Sequence, residues 1–444
     1  MTAEMPPPNS LALALNRELA ESAPEVLAVL SALGRRLYFP KGILSQTTEA
    51  KQKAHRYNAT IGIATEGAGP MYLPSVQRQL GELSPAEVYP YAPPAGKPEL
   101  RARWREKLLA ENPALAGKAF GLPIVTSAIT HGLALVGDLF VDAGDHLLLP
   151  DKLWGNYRLT FEVRLGARVE TFPLFSGSGF ANEAFANALT QNAAGREKLL
   201  VLLNFPNNPT GYMPTSAEAE AIVRALIAQA QRGTKLVVIL DDAYFGLFYH
   251  LGGTSLTESL FGFLANCHPN LLAVKLDGAT KELFVWGLRC GFITFAPGRA
   301  QGAESVCSVL DAKTRGAIRG GISNSAHLSQ TLVEHALDSS SLGAERKRKC
   351  EILSARARRV FEVTRAERFH GDWEVYPFNS GYFMCVRVRG VDAEALRVHL
   401  LEKYGVGLIA TSPTDIRVAF SCLEVDDVEP LFEILQRGIR ELRG

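Results

Sequence analysis

Five short apolar runs, at residues 147–149, 199–203, 236–240, 271–275 and 292–295, most constrain the fold of this 444-residue chain. Their apolar residues do not alternate with polar ones, as expected of strands covered on both faces. Longer amphipathic stretches separate several of them. One starts at T-S-A-E, where Thr215 and Glu218 form a capping box, and its Ala-rich run ends at Gly233. Strands alternating with helices predict an α/β fold: a doubly wound, mainly parallel sheet with helices on both faces.

This sheet domain is expected over residues 59–330. Before it, residues 1–10 read as a flexible tail, two helical patterns follow up to about residue 33, and 38–58 is a polar arm punctuated by Pro40 and Gly42. After it, a long charged helix is expected at 345–364. Its R-K-R-K run, residues 346–349, reads as a solvated helix face. A strand (382–388), helix (392–404), strand (416–420) and helix (428–442) then predict a second, smaller α/β domain over 331–444, which the arm at 1–58 joins.

Composition narrows the function classes. Lys and Arg number 47 and Asp and Glu 46, a net charge of +1. That balance gives no general pull towards nucleic acid or an anionic membrane. The six cysteines form no C-x-x-C pair and fit a reducing compartment. The histidines lack metal-ligand spacing, so no metal is expected. No apolar run approaches the roughly 20 residues that cross a bilayer, and the N-terminus lacks the basic start of a secretory signal. The expected location is the cytoplasm.

Four segments carry chemistry. N-F-P-N-N-P-T-G, residues 204–211, follows a buried strand and forms a rigid turn from which an Asn amide can point into a cleft. D-D-A-Y, residues 241–244, ends the apolar K-L-V-V-I-L strand. Ligands of open parallel sheets bind beyond such strand ends, where a carboxylate needs a cationic partner. Asp242 reads as a helix N-cap. In K-L-D-G-A-T-K-E-L-F-V-W-G-L-R, residues 275–289, Lys281 precedes Arg289 by eight positions. An amine sharing a pocket with a carboxylate suits Schiff-base chemistry, and a planar guanidinium grips phosphate. V-T-S-A-I-T, residues 125–130, reads as strand, turn and helix start, with backbone N–H groups and hydroxyls able to hold an anion.

Together these motifs, in this order and spacing, resemble the fold-type-I pyridoxal-phosphate enzymes, specifically the class I/II aminotransferases, over residue 59 to the C-terminus. The resemblance implies that Lys281 holds pyridoxal 5'-phosphate covalently and that Asp241 pairs with its ring nitrogen. Asn208 and Tyr244 would bond its phenolic oxygen, and Trp154 would stack on its ring. Arg289, Thr130 and the backbone around Ala128 and Ile129 would bind its phosphate. Tyr91 would reach the phosphate across the interface of a homodimer with shared active sites. Arg417 would bind the substrate α-carboxylate, with Asn208 and Trp154 also lining the substrate. Arg319 matches the arginine with which aspartate aminotransferases bind a side-chain carboxylate, which hints at dicarboxylic substrates.

The implied activity is transfer of an amino group from an α-amino acid to a 2-oxo acid by a ping-pong mechanism. Two alternatives stay open: another reaction of the same cofactor, such as β-elimination or decarboxylation, and a non-catalytic cofactor-binding sensor domain. The chain also departs from the family pattern. Ala128 and Ile129 replace glycines of the phosphate turn, Gly278 replaces a serine, and Asp242 replaces a small or apolar residue.

Overall fold

The computed structural model describes residues 7–39, 42–67 and 69–444; most of the expected N-terminal tail and Pro40 lie outside them. Its centre is a seven-stranded sheet: β1 (Ile124–Thr126), β2 (His146–Pro150), β3 (Arg168–Phe172), β4 (Lys198–Asn204), β5 (Lys235–Asp241), β6 (Leu271–Gly278) and β7 (Gly291–Ala296). Their spatial order is β1-β7-β6-β5-β4-β2-β3. Only β7 runs antiparallel to its neighbours. The run L-V-V-I-L-D of β5 is buried throughout, because helices cover both faces of the sheet.

The five apolar runs all lie within these strands. The edge strand β3 was not expected. Its R-V-E-T-F pattern is mostly exposed, and it forms by pairing with β2 in register, His146 opposite Arg168.

Five helices matter for the site: α1 (Pro98–Glu111), α2 (Ala128–Phe140), the single turn α3 (Ala279–Glu282), α4 (Ala303–Gly321) and α5 (Leu342–Thr364). The capping box at Thr215 is formed as expected, with Glu218 N donating to its hydroxyl at 3.3 Å. The expected solvated face of α5 needs correction. Lys347 and Arg348 are exposed, but Lys349 is buried against Glu66, and Arg346 turns inward to Glu111 at 3.0 Å.

A second, antiparallel sheet has the order β8-β9-β11-β10, from β8 (Trp373–Val375), β9 (Phe383–Val388), β10 (Ile409–Ala410) and β11 (Asp415–Ala419). The polar arm meets this region. Tyr57 and Asn58 pair in parallel with Val406 and Gly407, and Gln46 bonds both ways with the backbone of Ala410. Arg36 instead donates to the carbonyl of Val163, beside the large sheet.

Candidate active site

The C-terminal ends of β4, β5 and β6 lie side by side. In register, Asn204 stands opposite Asp241 and Asp241 opposite Leu276. Each motif therefore leaves the sheet at one edge, where strands stop and chain can turn into a cleft. That cleft is a cavity of about 350 Å³. Asp241, Tyr244, Lys281, Arg289, Arg417, Asn208, Trp154, Ala128, Ile129 and Thr130 all line it. A larger cleft of about 780 Å³, lined by Phe175, Arg365 and Tyr376, contains none of these residues.

The Asn-rich turn divides its labour. Asn207 points inward: its carbonyl accepts from Thr210 N and Oγ1 at 3.1 and 2.7 Å, and its amide donates to Lys152 O at 3.0 Å. Asn208 is left facing the cavity, its backbone N–H held by Asn204 Oδ1 at 2.7 Å. Gly211 closes the turn at φ +75°, and a Cβ there would sit 2.0 Å from the carbonyl oxygen of Phe383. Only glycine allows that approach of turn to β9.

Asp241 is 2% exposed. Burial pushes its carboxyl up, opposed first by the Tyr157 hydroxyl and then by the Lys281 charge. Tyr157 donates to Asp241 Oδ2 at 2.7 Å, and Ala243 N donates to Oδ1 at 3.1 Å. The Lys281 amine lies 4.8 Å from the Tyr244 ring centre. Burial pushes that amine down to about 8, with Asp241 opposing the shift. A buried amine of this kind is neutral, hence nucleophilic, in a usable fraction near physiological pH. The Tyr382 hydroxyl donates to the Lys281 carbonyl at 3.3 Å.

Two guanidiniums line this cavity, and neither meets a carboxylate among the described residues. Arg417, on β11, is 2% exposed. It donates to Asn208 Oδ1 at 3.1 Å and Thr60 O at 2.9 Å, lies 4.1 Å from the Phe383 ring centre, and leaves Nε without an acceptor. A buried cation in that state is held ready for an anion from outside the chain. Among the described residues Arg289 donates only to the carbonyl of Trp286, at 3.3 Å. It shares the cavity with Thr130 and the first residues of α2, a helix long enough for its free N–H groups to attract an anion.

The departures from the family pattern have local causes. Gly278 pairs with Gly291 across β6 and β7, and a Cβ on it would lie 2.7 Å from Gly291 Cα, so a serine has no room. Ala128 occupies the left-handed region at φ +62°, where a glycine would be relaxed. Asp242 does not cap a helix. It accepts from Ser259 Oγ at 2.6 Å and pairs with the buried Lys275.

Two expected residues lie outside the cavity of their own chain. Tyr91 is 90% exposed. Arg319 is exposed at the end of α4 and donates to Ser323 Oγ at 2.6 Å. Sequence reasoning also missed cavity residues: Tyr157, Trp286, Phe383, Gly62, Ile63, Asn204 and Thr280. Asn204, Thr280 and Trp286 sit inside motifs that had been read, and Tyr157 follows Trp154 by three positions in W-G-N-Y. Nothing local marks Gly62, Ile63 or Phe383, which arrive from other parts of the chain.

The fold and the site define a fold-type-I, aminotransferase-like α/β protein. The sequence matches the aminotransferase class I and II family over residues 65–435, and the chain belongs to that family. It is 33% identical over 154 residues to a probable aspartate/prephenate aminotransferase of Aquifex aeolicus, covering 35% of this chain and 36% of the relative. It is 31% identical over 210 residues to the one from Thermus aquaticus, covering 46% and 48%. The chain thus spans about half or less of the length of these curated relatives. An aminotransferase structure from Anaerococcus prevotii superposes with a TM-score of 0.81 at 22% identity, over 94% of this chain and 100% of that one.

Proposed function

We propose that the protein is a pyridoxal-phosphate-dependent aminotransferase that moves the amino group of an α-amino acid to a 2-oxo acid. The observation that carries this reading is the grouping of the Lys281 amine, the Asp241 carboxylate and two guanidiniums, without carboxylate partners among the described residues, around one cavity. These residues fit the cofactor: an amine to hold it, an acid for its ring nitrogen, an aromatic wall from Trp154, and Arg289 with Thr130 and the start of α2 for its phosphate. When bound, that cofactor supplies an electron sink for the bond breaking at the substrate Cα.

The side chains do the rest. The Tyr157 hydroxyl and the Lys281 charge favour the ionised form of Asp241, which would pair with the protonated ring nitrogen. Asn208 and Tyr244, which line the same cavity, would hold the ring through hydrogen bonds to its phenolic oxygen. Arg417 grips the substrate carboxylate through its planar fork and so sets which Cα bond faces Lys281. The Lys281 amine takes the Cα proton as general base and returns it as general acid. Retention of the carboxylate by Arg417 favours transamination over decarboxylation.

Tyr91 and Arg319 complete the reading in a homodimer with shared sites. Both are exposed, and Tyr89, two positions before Tyr91, is 80% exposed. The chain after Tyr91 is tied to the helix His327–Asp338, which follows Arg319: Lys97 N donates to Gln330 Oε1 at 2.8 Å, and Lys97 Nζ pairs with Glu334 at 2.7 Å. A second subunit docking there would receive Tyr91 at its phosphate site and Arg319 near its substrate, where a distal carboxylate could bind. Among the described residues no helix is long and apolar enough to cross a membrane. We place the enzyme in the cytoplasm, which its free cysteines fit.

Half-reaction spectroscopy over a panel of amino acids, with Lys281→Ala as control, tests the function. Loss of the lysine-linked visible band on adding an amino acid, and its return with a 2-oxo acid, is expected; pyruvate and ammonia without a new amino acid would establish elimination instead. Fast reaction of glutamate and aspartate is expected from Arg319.

A further inference from the structure

Lys152 does not line the cavity, yet it is bonded to two of the segments that build it and belongs to a third. It stands two positions before Trp154, in the loop that follows β2. Its carbonyl accepts from Asn207 Nδ2 of the Asn-rich turn at 3.0 Å. Its amine crosses to the second sheet and pairs with Asp415 Oδ2 of β11 at 2.7 Å. Asp415 precedes Arg417 by two positions, so both side chains leave the same face of β11. Arg417 donates to Asn208 Oδ1 at 3.1 Å, and Asn208 follows Asn207. The contacts close a ring, from Lys152 through Asp415, Arg417, Asn208 and Asn207 back to Lys152.

The Asp415 end of the ring is fixed on both oxygens. Asp415 is buried, and its Oδ1 accepts from Tyr376 Oη at 2.9 Å and Thr414 Oγ1 at 3.1 Å. Arg387 Nε lies 4.0 Å from the same carboxylate, so Lys152 is the nearer of its two cations. Lys152 thus supplies the charge that lets an ionised carboxylate be buried there. The pair is not what joins the turn to the second sheet's region. Asn379 N and Ser380 N donate to Gly211 O at 3.0 and 2.9 Å, and Cys385 Sγ of β9 lies 3.3 Å from Pro209 O. What the ring adds is register: sliding β11 along the turn would stretch the Lys152–Asp415 pair and the Arg417–Asn208 bond together.

We propose that Lys152 is a positioning residue for substrate binding: by tying β11 to the Asn-rich turn through Asp415 and Asn207, it holds Asn208 and Arg417 in the register at which Arg417 grips a substrate carboxylate. The inference rests on the assignment of Arg417 to that carboxylate. Lys152 and Asp415 line no part of the cavity and act through Arg417 alone. The ring includes neither Lys281 nor Asp241, so its loss acts on binding and spares the proton transfer.

The test titrates the cofactor-loaded full chain with succinate, a dicarboxylate that has no amine to transfer, and reads its affinity by calorimetry. Lys152→Met and Asp415→Asn should each weaken succinate binding about 10-fold, as for one partner lost from a buried charge pair. The variant carrying both changes should also lose about 10-fold, not the roughly 100-fold of independent residues, because the two form one link. KM for the amino acid should rise by the same factor, with kcat within about twofold of wild type. A merely structural role would lower the denaturation midpoint and leave the succinate affinity of the folded protein unchanged. Succinate affinity within about twofold of wild type in either single variant overturns the proposal, as does a double variant weakened by the product of the single effects. If Lys152→Met fails to fold because Asp415 is left bare, the double variant buries no bare carboxylate and is judged against wild type by the same margins. A wild type that binds no succinate removes the assignment of Arg417 and the proposal with it. A different reaction of the same cofactor appears only in the half-reactions and leaves these affinities to decide.

Discussion

Tyr157→Phe tests how much the Tyr157 hydroxyl favours the ionised form of Asp241. Tyr157 is 1% exposed, and its hydroxyl is the donor on Asp241 Oδ2 at 2.7 Å. The substitution removes one oxygen and keeps the ring, which meets Trp154 edge-on at 5.6 Å, so no cavity the size of a side chain forms. A hydrogen bond to an ionised group contributes about 1.5–3 kcal/mol, and losing it leaves the buried carboxylate oxygen bare. Asp241 retains Ala243 N on its other oxygen and the charge of Lys281. The expected loss in kcat/KM is thus about 10-fold at the low end and about 150-fold at the high end, at roughly 1.4 kcal/mol per decade. The variant's Asp241 is more basic, so the deficit should be largest on the acid side and shrink as pH rises. Steady-state kinetics across pH, with equilibrium dialysis of the cofactor, would read both effects. A variant within about twofold of wild type at every pH would refute the idea that Tyr157 favours the ionised form of Asp241.

Arg417→Lys keeps the charge but loses the fork; KM for the amino acid should rise and kcat/KM fall by about 10- to 100-fold, with cofactor affinity unchanged by dialysis. Ala128→Gly relieves a left-handed alanine and should stabilise the protein by about 0.5–1 kcal/mol, read as a higher denaturant midpoint. Lys281 gives the cofactor-free protein a pH signature. Its folded pKa of about 8 lies below the ordinary lysine value of 10.5, so the unfolded chain binds more protons between them. Stability attributable to this residue should therefore rise with pH from about 8 to 10.5, and denaturation of wild type against Lys281→Met should show that slope only in the wild type.

Much of the fold was legible because strands covered on both faces must be apolar throughout, and five such runs located five of the seven large-sheet strands. The edge strand β3 was not, because its side chains face water and its pairing partner alone makes it a strand. The core of the site was legible for a related reason. Asp241, Asn208, Lys281 and the start of α2 each sit at a strand end within a few residues of an apolar run, so local pattern and local chemistry coincide.

The amino-acid sequence by itself determined which groups are available at those strand ends: the amine, the acid, the amide turn and the helix start. Tertiary structure alone decided which groups keep them company. Thr60 reaches Arg417 across 357 positions, Tyr157 reaches Asp241 across 84, and Asp242 finds a buried lysine instead of capping a helix. Such contacts depend on crossover connections and on which face a residue takes, and neither leaves a periodic trace near the residue concerned.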